Sequence, residues 1–324
     1  MRVYFLIPQY VENFSKSSRW HTVSRGFTLR HPDLQLQAVA VLEKAGHIVE
    51  FCDATAEKIG KKEVFKRIDK FKPDMLVVYC TTPSIYDDIS YVEEFKQKYP
   101  DKKTVAIGAH VSAEPKDTFR IAKNKYLDAI CIGEYDYSLR DITNKIPLNK
   151  ILGIAYCKNK KVIINKSRPL LDVQKLPFPS WKHINPEDYP DPGKLHPFLT
   201  IVGCRGCFGK CTFCLMSNVM YKHQLRTRTA QQICDEIEYD LKLFPQLKEI
   251  MFEDDTFGFA SNHAMNVCDE IIKRGLNKRV SFACNLRADI RRDLIPKLKQ
   301  AVFRWACIGF EFGTNKSLAS VEKG

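Results

Sequence analysis

The sequence predicts an α/β protein built in two parts: a doubly wound, Rossmann-like parallel sheet, then a shorter series of β/α units. Three observations predict it. Residues 1–145 alternate short apolar runs with amphipathic helical stretches. Residues 146–197 interrupt that alternation with a hairpin pattern and a concentration of proline, and residues 198–324 resume it. Apolar strands separated by amphipathic helices imply parallel strands covered on both faces.

Taken in order, residues 3–7 form a strand, followed by a polar loop over 12–30. Residues 34–45 carry apolar side chains at helical spacing, and Gly46 ends that helix. Strands at 48–52, 75–79, 104–107 and 129–132 follow, separated by helices at 63–71, 88–98 and 117–122. Residues 151–156 and 162–164 flank the turn 158–161 as a β-hairpin. The proline-rich stretch then lies against the surface, with Leu176, Phe178 and Trp181 as anchors. A strand at 199–202 leads into a cysteine-rich loop. Thr229 and Gln232 form a capping-box pattern that opens a helix over 230–243. Strands at 249–253, 280–284 and 306–311 complete the series, with helices at 262–274, capped by Ser261, and at 291–301.

Sheets of this kind bind ligands outside the carboxyl ends of their strands. In the first part those ends read Thr81-Thr82-Pro83-Ser84, Gly108-Ala109-His110-Val111-Ser112 and Gly133-Glu134. Small residues and hydroxyls at successive strand ends would admit a large flat ligand. The plainer reading is that they are turn residues.

At 324 residues the chain has room for two cores. No run approaches the ~18 apolar residues of a membrane span, and the apolar N-terminal run is too short for a signal peptide. These features point to the cytoplasm. Lys and Arg number 51 against 38 Asp and Glu, a net charge of +13. The excess reads as a lysine-rich solvated surface, and nucleic acid is not an expected partner. Of twelve cysteines, only Cys204, Cys207, Cys211 and Cys214 cluster, which points to a metal rather than to disulfides.

Structural zinc sites usually join two short ligand pairs across a longer stretch, which this loop lacks. A ferredoxin run reads C-x2-C-x2-C-x3-C-P, with different gaps and a closing proline. A third reading keeps Cys207, Cys211 and Cys214 as ligands of an iron–sulfur cube and sets Cys204 aside. One iron is then open for chemistry.

The segment from Arg205 to Cys214 resembles the signature of the radical SAM superfamily, C-x3-C-x-aromatic-C, with Phe213 at the aromatic position. The resemblance implies a partial (β/α) barrel and a 4Fe–4S cluster on Cys207, Cys211 and Cys214. Its open iron would chelate S-adenosylmethionine, and the reduced cluster would cleave the sulfonium to a 5′-deoxyadenosyl radical. It also implies an external electron donor of flavodoxin or ferredoxin type. Asp254 and Asp255 resemble the acidic positions near the methionyl amine. Arg287 resembles a basic position that meets the methionyl carboxylate, and Glu311 a residue that accepts from the ribose hydroxyls. The alternative for the two aspartates is capping of the next helix.

The order of α/β domain, hairpin, Leu176-Pro177-Phe178-Pro179-Ser180-Trp181 and cysteine loop is similar to the cobalamin-binding group of that superfamily. This implies cobalamin at Thr81, Thr82, Gly108, His110, Gly133 and Glu134. No histidine has Asp two positions before it, so the D-x-H-x-x-G pattern of histidine-ligated cobalamin domains is absent. The group implies methylation of an unactivated carbon on a small-molecule or lipid substrate. Ring formation or rearrangement on a tetrapyrrole or lipid, tRNA methylthiolation, and a non-catalytic corrinoid- or cluster-binding sensor are the alternatives. The family barrel usually has six β/α units and this sequence shows four. A fragment, or a barrel completed by another chain, is the expectation.

Overall fold

The computed structural model describes residues 1–16, 21–24, 26–258 and 262–323. The chain divides into two compact units, Met1–Leu171 with Pro177–Ile184, and Asp172–Leu176 with Asn185–Gly324.

The first unit is a seven-stranded sheet. Its strands are β1 (Arg2–Ile7), β2 (Ile48–Asp53), β3 (Met75–Tyr79), β4 (Lys103–Ile107), β5 (Ala129–Cys131), β6 (Ile154–Lys158) and β7 (Lys161–Ile164). The spatial order is β2-β1-β3-β4-β5-β6-β7. Strands β1 to β5 are parallel, and β6 and β7 are antiparallel. The hairpin is therefore part of this sheet, since Ile130 of β5 pairs with Ala155 of β6. The helices are α1 (Asp33–Lys44), α2 (Lys61–Phe71), α3 (Ile85–Lys98), α4 (Ala109–Ala113), α5 (Pro115–Ile121) and α6 (Asp136–Thr143). Tyr4, Leu6, Leu76, Val78 and Ala106 pack on one face against Val64, Ile68, Ile89, Phe95 and Phe119 of α2, α3 and α5. Residues of opposite parity, such as Phe5, Val77 and Val105, are equally buried. Burial of both faces is why these strands read as unbroken apolar runs. Of the expected anchors, Trp181 is buried and Phe178 half-buried in this unit, while Leu176, also buried, belongs to the second unit.

The second unit is a four-stranded parallel sheet in the order β13-β12-β11-β8, with a separate two-stranded ribbon of β9 and β10. The strands are β8 (Phe198–Ile201), β9 (Cys204–Arg205), β10 (Arg226–Thr227), β11 (Glu249–Phe252), β12 (Ser281–Arg287) and β13 (Phe303–Gly309). The helices are α7 (Ala230–Leu243), α8 (His263–Lys273), α9 (Leu294–Gln300) and α10 (Asn315–Ser320). The expected capping box is formed: Thr229 Oγ1 accepts the Gln232 N–H and Gln232 Oε1 accepts the Thr229 N–H, each at 3.1 Å. Phe198, Met251 and Ala283 form an inner layer with Trp305 packed on it. The Ser261 cap lies outside the described residues. Among the described residues no helix is long and apolar enough to cross a membrane.

Candidate functional site

Strand β8 delivers the chain to the cysteine loop, and the short ribbon closes the loop's base. Arg226 and Thr227 of β10 pair with Arg205 and Cys204 of β9. Gly206 follows at φ +93°, where a Cβ would collide with the Gln224 carbonyl oxygen. Only glycine fits that approach. Inside the loop, Asn218 Nδ2 donates to the carbonyls of Cys211 at 3.0 Å and Cys214 at 2.7 Å. The Cys214 N–H donates to the Cys211 carbonyl at 3.0 Å, and His223 Nδ1 lies 2.8 Å from the Gly209 carbonyl.

The Gly209 N–H donates to Cys207 Sγ at 3.3 Å. That bond favours the thiolate, but burial outweighs it and raises the Cys207 pKa. A Cβ at Gly209 would stand 3.3 Å from Cys207 Sγ, 3.8 Å from Cys211 Sγ and 4.0 Å from Arg287 Nη1. Two thiols and a guanidinium therefore border one small space, kept open by a glycine. Among the described residues no three His, Cys, Asp or Glu groups close on a single metal ion. A cube makes a different demand, since its thiolates bind separate irons. Three thiols on one loop, two of them facing a glycine-lined space beside a cation, fit such a cluster. Phe213 is half exposed on the same loop.

The acidic pair ends β11. Asp254 is 1% exposed, and its Oδ1 accepts the N–H groups of Gly203 and Cys204. The methionyl-amine contact expected of Asp254 is not open to a side chain so enclosed. Burial, acting against those two hydrogen bonds, raises its pKa to about 7. Asp255 is half-buried and accepts the Gly206 N–H at 3.0 Å. Arg287 ends β12 and is gripped by Asp289 in a two-pronged ion pair at 2.8 Å. Glu311 pairs with Lys323 at 2.8 Å, and Lys323 also donates to the Gly309 carbonyl. The Thr212 N–H bonds the Val321 carbonyl at 3.0 Å, so the segment after α10 rests on the cysteine loop. Arg287, Asp289, Phe310, Phe312, Leu318 and Lys323 line a cleft of about 360 Å³ at the ends of β12 and β13. Neither α10 nor Lys323 was marked by any motif.

In the first unit, the carboxyl ends of β3, β4 and β5 bring several expected residues together. Gly108 has φ +120°, and a Cβ there would collide with the Cys80 carbonyl. His110 Nδ1 lies 3.2 Å from Thr82 Oγ1. Burial lowers the His110 pKa, and its Nε2 is enclosed without a hydrogen-bond partner among the described residues. Ser112 Oγ donates to the Gly108 carbonyl at 2.7 Å and accepts the Gly133 N–H at 3.0 Å. An orphaned ring nitrogen beside a glycine-tight strand end fits a ligand with a polar rim.

Two expected contacts are not in that group. Thr81 is fully buried; its N–H donates to Asp88 and its hydroxyl bonds Ser84, inside a network that includes the Lys16–Asp88 ion pair. Glu134 is 7% exposed, and its Oε2 accepts the Leu171 N–H at 2.9 Å. Both side chains are committed to internal structure, which strand-end position alone does not reveal.

Residues 21–143 match the B12 binding domain family. Over its whole length the chain superposes on the cobalamin-dependent S-adenosylmethionine radical enzyme OxsB with a TM-score of 0.79 and 20% identity, covering 45% of that chain. The chain therefore carries a B12 binding domain within a fold shared with that enzyme. The chain is 27% identical over 299 residues to an uncharacterized methyltransferase of Pyrococcus horikoshii, covering 90% of this chain and 63% of that protein. It is 25% identical to the anaerobic magnesium-protoporphyrin IX monomethyl ester cyclase of Rubrivivax gelatinosus, covering 100% of this chain and 58% of that protein. The chain thus spans about half to three-fifths of the length of these relatives.

Proposed function

We propose that this protein belongs to the cobalamin-binding radical SAM superfamily and uses a 4Fe–4S cluster and cobalamin to methylate an unactivated carbon of a small-molecule or lipid substrate. The observation that carries the reading is the space bordered by Cys207 Sγ, Cys211 Sγ and Arg287 around Gly209, in a chain that also has a B12 binding domain. When bound, the cluster supplies the electron that cleaves the sulfonium and cobalamin carries the methyl group. Cys207, Cys211 and Cys214 hold the cluster. Arg287, oriented by Asp289, offers a cation to the methionyl carboxylate. Asp255, half-buried on the Gly206 N–H, is the acidic group left for the methionyl amine. Thr82, Gly108, His110 and Gly133 receive the corrin face. Two relatives bear methyltransferase names, that of Pyrococcus horikoshii and the cytidylyl-2-hydroxyethylphosphonate methyltransferase of Streptomyces wedmorensis, which supports methyl transfer.

A second reading, radical cyclisation, is favoured by the cyclase relative that matches the entire chain. Anaerobic reconstitution with iron, sulfide, hydroxocobalamin, S-adenosylmethionine and a strong reductant separates the two. Methyl transfer consumes S-adenosylmethionine in two ways, so S-adenosylhomocysteine and 5′-deoxyadenosine form together. Cyclisation gives deoxyadenosine without the homocysteine product. Formation of neither by a chain loaded with both cofactors would sink the enzyme reading.

A further inference from the structure

Asp254 Oδ1 accepts two consecutive backbone N–H groups, from Gly203 at 2.7 Å and Cys204 at 2.9 Å. Asp255 Oδ2 accepts a third, from Gly206 at 3.0 Å. Two adjacent carboxylates at the end of β11 thus hold three of the four residues that precede Cys207. From the other side, the Arg228 N–H donates to the Gly203 carbonyl at 3.0 Å and Arg228 Nη1 to the Val202 carbonyl at 3.1 Å. The strand-to-loop junction is pinned on both edges.

We infer that Asp254 is a positioning residue for the cluster, acting through the backbone of Gly203 and Cys204 and not by touching S-adenosylmethionine. The inference rests on the proposed reading that Cys207, Cys211 and Cys214 carry a cluster. A carboxylate that accepts backbone N–H groups makes charge-assisted bonds, stronger than neutral ones. Removing it leaves two buried donors unmatched, the expensive way to lose a hydrogen bond. At 1% exposure, the side chain has no surface to offer a ligand. Cys204 meets Asp254 through its backbone N–H, and its thiol is outside the proposed ligand set.

The test compares the wild-type chain with Asp254→Asn, Asp254→Val and Cys204→Ala after anaerobic reconstitution. Asparagine keeps an acceptor oxygen without the charge; valine keeps similar bulk without the acceptor. Asp254→Val is expected to lose cluster affinity by about tenfold or more, and Cys204→Ala to keep wild-type iron. Asp254→Asn is expected to keep its iron and bind S-adenosylmethionine within about twofold of wild type. Measured well above pH 7, where Asp254 is ionised, its cluster should have a raised reduction potential, because a negative charge near the cluster disfavours the added electron. Wild-type iron and potential in both Asp254 variants would overturn the inference. So would an Asp254→Asn chain with full iron whose S-adenosylmethionine affinity falls about tenfold or more, since that marks a direct contact. Should Asp254→Val fail to fold, potential and affinity in Asp254→Asn decide. A wild-type chain that assembles no cluster overturns the cluster reading itself and is told apart by its iron content.

Discussion

Glycine 206 and the aspartate pair show how residue identity and residue role come apart. The cysteine spacing is a local pattern, so a candidate ligand set can be read along the chain. What holds the loop is not local: Asp254 lies about fifty positions on, and meets Gly203 only because β11 pairs with β8. A carboxylate at a strand end looks the same in sequence whether it faces a ligand or a backbone. Thr81 and Glu134 carry the same ambiguity, resolved by Asp88 and Leu171. A quieter case yields a pH prediction. His263 opens α8, and burial lowers its pKa from 6.5 to about 4. The unfolded chain takes up that proton as pH falls through about 6.5, while the native ring resists it until about 4. Stability is therefore present above this window and lost as pH falls through it, by up to about 3 kcal/mol. His263→Gln should remove that loss. Urea unfolding of both proteins near neutral pH and near pH 4.5 checks it; equal losses on acidification would show that the ring is not held neutral by burial.

Elements were legible to the extent that their signals are local. Helix α7 begins and ends where the capping box and apolar spacing place it, because the box fixes the first turn. Thr229→Ala should cost about 1 kcal/mol in urea unfolding. A loss near zero would mean that tertiary packing, not the cap, sets this terminus. Strand β12 was expected to stop at Cys284 yet runs to Arg287, since Asn285, Leu286 and Arg287 pair with Cys307, Ile308 and Gly309. Ladder bonds use the backbone, so polar side chains hide a strand whose partner is in place. That extension is what carries Arg287 to the thiols. Helices α6 and α10 were missed: each is short, and neither has the long apolar period that makes a helix stand out.

For the molecule as a whole, the division into a doubly wound sheet and a β/α series was readable because buried parallel strands are apolar on both faces. The place of the hairpin was not, because pairing β6 with β5 is a long-range choice that strand pattern leaves open. Each unit has its own buried layers, one around Tyr4, Val78 and Phe95, the other around Phe198, Met251 and Ala283. Each also presents its candidate residues at its own strand ends, so the two proposed cofactors should protect different backbone segments. A ligand that binds only the native state suppresses the local openings that expose amides, by about 2.7 kcal/mol at a hundredfold excess over Kd. Hydrogen exchange should therefore slow at 82–84, 108–112 and 133 on adding hydroxocobalamin. Anaerobic cluster assembly should slow it at 203–225 instead. Protection by cobalamin confined to the cysteine loop would contradict the assignment of the corrin to the first sheet. Cluster protection absent from 203–206 would show that Asp254 and Asp255 hold a junction the cluster does not use.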